Sequence, residues 1–391
     1  GQMKPVQIPG GTTITGNGNS SMTGAGIYTT GTISTTASTN VSNNKGQHGG
    51  GICGDGNAVL NINGTQIRDN TANGGGGGIC SYGTLNLSGS TLTGNTATGD
   101  GGAIWYKKGN ISGCGITGNT SNNLGGGVSL SHGTSTVSDT SISNNKANDG
   151  GGMYTDGNLT INNCTYDSNT ASGNGGGIIS NGTVTMNSGS ITNNYSGWDG
   201  GGVNSRATFN FNGGTIQNNT AYWLGGNIHV QAVDNINNKQ SVFTVTSKNP
   251  ISGGKAEGSG GGGVCVYGTG AKLILNDGTS VKDNTAPTGG GINGNAAIEM
   301  HNATISGNKA TSNNGGGIEL FSDKDGTGSF KMTSGTIENN TATCEGGGFH
   351  GPNFTMTGGT IQKNNAGTVA GGVLVNGTGA CSMSGGTITN N

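Results

Sequence analysis

The chain has 391 residues, of which 86 are glycine, 29% are hydrophobic and only 9% are charged, with a formal net charge of −2. That balance excludes the basic footprint of a nucleic-acid binder, since no Lys/Arg cluster exceeds Lys107-Lys108. No window nears the roughly 18 uninterrupted apolar residues of a membrane span, and apolar residues at fixed intervals argue against the disorder that so much glycine would otherwise imply.

From the first residues, Gly1-Gln2-Met3-Lys4-Pro5 leads straight into repeat material, so the chain reads as a processed or trimmed piece of a longer one. Val6-Gln7-Ile8 reads as a strand. After it comes Ile14, the first of a series of apolar anchors that continues through Val41, Ile67, Leu92, Ile116, Ile142, Tyr166, Ile191, Ile216, Ile251, Val281, Ile305, Ile337, Ile361 and Ile388. Three residues after each anchor stands an asparagine: Asn17, Asn44, Asn70, Asn95, Asn119, Asn145, Asn169, Asn194, Asn219, Asn284, Asn308, Asn340, Asn364 and Asn391, with Gly254 the single exception. Asparagine tolerates the left-handed region and bonds its local backbone. Stacked copies can also bond amide to amide, as in other cross-turn stacks.

A second marker, a run of small residues before one apolar residue, recurs at about 25-residue steps from Ile104 to Ile228. Between the markers lie alternating apolar pairs such as Leu60/Ile62, Leu159/Ile161 and Phe209/Phe211. Each repeat thus holds three short extended segments. Helical repeats are excluded by the glycine and β-branched content, and propeller blades need a longer unit. The period predicts an all-β, single-stranded, right-handed parallel β-helix: one solenoid domain over 1–391, of about 14 turns with three strands each. The residue two after each ladder position, from Ala72 to Ala366, is Ala or Ser, which predicts a tight inward spot.

Among seven cysteines, Cys53 and Cys80 follow the first apolar residue of successive repeats. Stacking at about 4.8 Å brings their Cα atoms within the disulfide window of about 4.4–6.8 Å, so either a cross-repeat bridge or a stack of thiols fits. Asp100, Asp149 and Asp199 precede the glycine corner in alternate turns, a spacing of about 9–10 Å that an inverting carboxylate pair would tolerate. No second acid shares a turn in register with them, which favours a solvated corner. Trp198 and Trp223 should stack one above the other with Tyr195 and Tyr222 nearby, beside an outward loop at 229–240 that begins at His229. Such a cluster suits contact with a glycan or protein; it also suits mere shielding of a corner. The five histidines fall in separate turns, and the sequence shows no common register for them. A second outward loop at 323–329 opens with Asp323-x-Asp325-Gly326, half of a calcium loop whose distal position holds Ser334 in place of the bidentate glutamate. Calcium is the one metal the sequence raises, and no other cofactor is expected.

Gly101–Ile104, the related Gly-Gly-Gly-Ile runs and the recurring anchor-x-x-Asn resemble the repeats of chlamydial polymorphic outer-membrane proteins, autotransporter-like adhesins of the pectin-lyase-like superfamily. The resemblance implies a β-helix passenger displayed at a cell surface and used for adhesion, although the family's phenylalanine is Ile, Val, Leu or Tyr here. The expectation from residues and resemblance together is a non-enzymatic extracellular or cell-surface solenoid, either an adhesin-type passenger or a structural rod. Its partner would be a host or neighbouring-cell glycan or protein. One alternative is a filament subunit that self-associates end to end through open sheet edges; a more distant one is a carbohydrate lyase or hydrolase.

Overall fold

The computed structural model describes residues 5–19, 21–232, 240–376 and 379–391. Among them there is no helix, and hence none long and apolar enough to cross a membrane. Parallel strands stack as a β-solenoid of about 15 turns, ~25 residues apart. The chain forms two compact units, Gly1–Val184 and Thr185–Asn391.

In the first unit a representative turn runs through strands Ile52–Gly54, Val59–Asn63 and Gln66–Arg68. Each pairs with its copy one turn away, so that Ile67 lies between Val41 and Leu92. Period-2 alternation turns Leu60, Ile62 and Ile67 inward, where they are at most 1% exposed. Each is worth about 1.5–3 kcal/mol of apolar burial, which is how a chain with so few hydrophobic residues still fills a core. A fourth element is added to the three expected strands. Thr71–Ala72 and its copies form a separate short parallel sheet. The expected tight spot lies on it: Ala72 and Ala97 are fully buried and Ser121 nearly so.

The second unit repeats the plan with larger inward groups. Phe209 and Phe243 are register partners one turn apart and their rings stack at 4.7 Å and 10°. Offset or edge-on pairs are the usual preference for aromatics; here the strand spacing of about 4.7–4.9 Å imposes the face-to-face geometry.

The asparagines form a buried ladder. In the first unit Asn17, Asn44, Asn70, Asn95, Asn119 and Asn145 each donate Nδ2–H to the Oδ1 of the next, through Asn169, at 2.9–3.1 Å. The same Oδ1 also accepts the backbone N–H of the preceding asparagine, as Asn95 and Asn119 show. Left-handed backbone falls one residue earlier than the sequence led us to expect. Asn43, Asp69, Asn144, Ser168, Asn218 and Asp283, each just before a ladder asparagine, have φ of 55–57°. The ladder residues do not bend the chain; they satisfy the buried polar groups that the bend creates.

Gly254, the exception, is compensated from across the corner. Asn227 stands where other turns have glycine or, at 103, alanine, and its Oδ1 accepts Asn219 Nδ2–H at 2.9 Å. Its own Nδ2–H donates to Asn284 Oδ1 at 3.1 Å. A Cβ at Gly254 would lie 2.4 Å from Asn227 Nδ2, so the two deviations from the repeat require each other. The ladder then continues from Asn284 through Asn308, Asn340 and Asn364 to Asn391.

Candidate functional site

One column of side chains departs from the repeat's uniformity: the residue after the first apolar residue of each turn. In the first unit strand register places Cys53 beneath Cys80, Cys80 beneath Trp105 and Trp105 beneath Ser129. Small side chains therefore sit on either side of the indole. Trp105 lies on the long strand Ile104–Ser112, and Tyr82 on its neighbour Ile79–Ser88, where the register shifts between Ser81 and Thr84. That irregularity carries Tyr82 against the indole, with ring centroids 4.8 Å apart and planes at 56°. His48 meets the other side of Tyr82 edge-on at 6.2 Å. Its Nδ1 accepts the Gly75 N–H at 3.2 Å, leaving Nε2 as the donor. Glycine at 75 eases the packing, since a Cβ there would crowd the Asp100 carbonyl oxygen at 3.1 Å and the Trp105 ring at 3.3 Å.

These groups line a cleft of about 320 Å³ with Asp100, Asn123 and Gly99, near the lower end of the roughly 300–1,000 Å³ range of small-ligand sites. Asp100 Oδ1 accepts from Asn123 Nδ2 at 2.7 Å and from the Leu124 N–H at 3.3 Å. Burial raises the Asp100 carboxyl above the usual carboxylate range, although both of those hydrogen bonds work the other way. Burial, with the thiols beneath, pushes the Tyr82 phenol up to about 12, so it remains a hydrogen-bond donor. Tilted aromatic faces beside a carboxyl, an amide and an imidazole N–H can hold a ring with one apolar face and a polar edge, as a pyranose has.

The sequence did not single out this cleft. Its signal was Trp105, a large residue between the small Cys80 and Ser129 of its column, three residues before Lys108 in the one basic doublet it noted. Only the register shift brings Tyr82 and His48 to it.

The expected sites fall as follows. Cys53 and Cys80 are register neighbours and both are free thiols, buried directly under the cleft. A hydrogen bond between them lowers Cys53 and, together with burial, raises Cys80 well above the ordinary thiol value. Trp198 and Trp223 are indeed one above the other, with Trp223 N–H donating to Trp198 O at 2.9 Å. They and the two tyrosines are 38–60% exposed, and Tyr222 meets Trp223 edge-on at 5.2 Å. His229 must be removed from that surface. It is 1% exposed, because its position on strand Ile228–Gln231 belongs to the buried column. Most of the loop expected at 229–240 lies outside the described residues.

Two of the five histidines, His229 and His350, share a register column, contrary to the reading from sequence; His48, His132 and His301 lie elsewhere in their turns. In the second unit the column runs Asn204, His229, Cys265, Asn293, Glu319 and His350. Asp199 Oδ2 lies 3.5 Å from His229 Nδ1, so Asp199, His229 and Cys265 have the residue types of a nucleophilic triad. The chemistry does not follow. His229 Nε2 has no hydrogen-bond partner among the described residues, and burial pushes the Cys265 thiol well up, so the sulfur is neither bonded to a base nor ionised.

The corner aspartates cap the turn that follows. Asp149 Oδ1 accepts the Asn174 N–H at 2.6 Å and Asp199 Oδ1 the Leu224 N–H at 3.1 Å. At the second outward loop Ser322–Asp323 pairs antiparallel with Gly326–Thr327. Asp323 Oδ1 accepts from Asn295 Nδ2 and from the N–H groups of Asp325 and Gly326 at 2.7–3.1 Å, and Asp325 Oδ2 accepts the Tyr267 hydroxyl at 2.8 Å. These carboxylates fasten the hairpin to Tyr267 with their lone pairs turned to donors, which is not how a calcium loop presents its ligands. Among the described residues no group of three or more His, Cys, Asp or Glu is placed to hold a metal.

Comparison with protein-family models, with curated proteins and with solved structures finds no match to this chain.

Proposed function

We propose that the chain is a non-enzymatic, adhesin-type β-solenoid of the cell surface whose first unit binds carbohydrate in the Trp105 cleft. The observation that carries this reading is the concave pairing of Trp105 with Tyr82 beside Asp100, Asn123 and His48. An indole with one small neighbour on each side in its own column is held for a ligand face. The ring packs on Tyr82 yet stays partly exposed, so a face remains for a ligand. Glycoside hydrolysis needs two carboxyl groups about 5–9.5 Å apart across the scissile bond. The residues lining this cleft supply one, Asp100, which favours binding over cleavage. The exposed Trp198 and Trp223 of the second unit offer a further aromatic contact surface of the kind adhesion uses.

The test is binding of the purified chain to an oligosaccharide array, with affinities of the hits measured by titration for wild type and Trp105→Ala. Affinity should fall about tenfold or more, tenfold being about 1.4 kcal/mol. Unchanged binding by Trp105→Ala, with circular dichroism showing the fold retained, would remove the cleft from the function.

A further inference from the structure

A second and larger hollow adjoins the aromatic cleft. About 620 Å³ in volume, it is lined by Lys107, Lys108, Asn110, Ser131, His132 and Thr134 among others, with no carboxylate in its lining. The two hollows share the strand Ile104–Ser112, which carries Trp105 into the first and Lys107 and Lys108 into the second. They also share the neighbouring strand Ile79–Ser88, with Tyr82 in one and Thr84 in the other. Lys107 Nζ stands 5.8 Å from the centroid of the Tyr82 ring, at the border between them. Neither lysine has a carboxylate within ion-pairing distance among the described residues, whereas Lys248, Lys255, Lys272 and Lys282 of the second unit are all so paired.

The rim holds this arrangement in place. His132 has a left-handed φ of 60°, uncommon for a residue with a side chain. Asp156 fixes it by accepting the His132 N–H at 2.5 Å, while its other oxygen lies 3.2 Å from His132 Nδ1. Both oxygens of Asp156 are thereby turned to the histidine. The order along one strand is then an aromatic face, a cation at the edge of that face, and a second cation with hydroxyl and amide donors beyond it.

We infer that the saccharide taken by this surface is anionic: a sugar ring lies against Trp105 and Tyr82, and its carboxylate or sulfate is held by Lys107 and Lys108. This rests on the carbohydrate reading of the Trp105 cleft and adds the charge class of its ligand. Two ammonium groups beside a low-dielectric aromatic wall attract an anion more strongly than they would in open water, and lysine serves as a point charge for either carboxylate or sulfate. A nucleic acid also joins rings to anions, but it needs a basic track along its backbone. The chain's net charge of −2 and its single basic doublet do not supply one.

The experiment is titration calorimetry of the full chain with three tetrasaccharides: an oligogalacturonide, its neutral oligogalactan counterpart and a sulfated oligogalactan. A single-stranded oligonucleotide is titrated as the fourth probe. Wild type should bind at least one anionic saccharide about tenfold tighter than the neutral one at low salt. Which of the two does so tells carboxylate from sulfate. The preference should shrink at high ionic strength and vanish in the Lys107→Gln/Lys108→Gln variant, with circular dichroism showing the fold retained. Equal affinity for neutral and anionic sugars, a preference that survives the double substitution, or tighter binding of the oligonucleotide would overturn the inference while leaving the cleft a binding site. Affinities for all three sugars that ignore Trp105→Ala would overturn the carbohydrate reading itself.

Discussion

Asn227 and Gly254 show how strictly single residues are held in this fold. Each breaks the repeat, and each would be destabilising alone. An asparagine at 227 in a turn with its own ladder amide would have no room, while a glycine at 254 without Asn227 would orphan the Asn219 N–H and Nδ2–H that now reach Asn227 Oδ1. At about 1–3 kcal/mol per orphaned buried group, Asn227→Gly is expected to cost about 2–4 kcal/mol. Gly254→Asn alone should also destabilise, through the crowding at Asn227 Nδ2. The double variant restores the ordinary repeat and should recover most of the loss. Chemical denaturation of the four proteins closes the cycle, and additive losses would show that the two positions are independent.

At the level of the element, the column behind the glycine loops is where a uniform repeat carries diverse chemistry. Glu319 and His350 are stacked there on successive turns, with His350 Nδ1 2.7 Å from Glu319 Oε2 and His350 Nε2 3.5 Å from Glu345 Oε2. Burial acts to lower the His350 pKa, but Glu319 and then Glu345 outweigh it, and the net shift is upward from the ordinary 6.5. Burial raises Glu319 from 4.5, against the pull of His350. A group whose pKa is higher in the folded state contributes stability that is complete below its unfolded pKa and is lost as pH rises through the folded value. Stability should therefore decline as pH rises above 6.5 and His350 loses its proton, and also as pH rises above 4.5 and Glu319 ionises. Melting temperatures across pH 5 to 9 test this for wild type and His350→Gln, and the variant's curve should be flatter above 6.5. Identical slopes would place the pH dependence elsewhere.

Across the molecule, stability is built from neighbouring turns, since each strand pairs only with its copies one turn before and one turn after, as Val128–Leu130 does with Ile104–Ser112 and Met153–Thr155. Such a chain behaves as a sum of turns and interfaces. Removing residues 128–152, one whole period, joins Gly127 to Met153 and preserves the register of every remaining strand. That variant should keep its β-sheet circular dichroism and unfold cooperatively. Removing 128–139, about half a period, deletes two strands of one turn and leaves Ser141–Ser143 too close behind the glycine corner to reach its partners, so that turn cannot close and the fold should be lost. If the whole-period deletion also failed to fold, long-range coupling beyond adjacent turns would be required.

The sequence by itself determined the architecture. The anchor-x-x-Asn and glycine markers repeat because every turn must present the same side chains to its neighbours, and strand spacing leaves no freedom to do otherwise. Ile67, Asn95 and Ala97 could be placed inside on that ground alone. It also placed Cys53 beside Cys80 and Trp223 over Trp198, since register follows from counting. Tertiary structure alone decided what lies around the corner from a given residue. The pattern of anchors gives no sign that the column on which His229 and His350 stand is buried, because its cover is the chain's own glycine corner folding back, as Gly346 does against His350 and Gly315 against Glu319. Nor does it show that Asp323 and Asp325 are spent on Tyr267, or that a register shift after Ser81 brings Tyr82 and His48 to Trp105. Periodicity encodes contacts between residues in register, and the candidate site is made of contacts between neighbouring turns out of register.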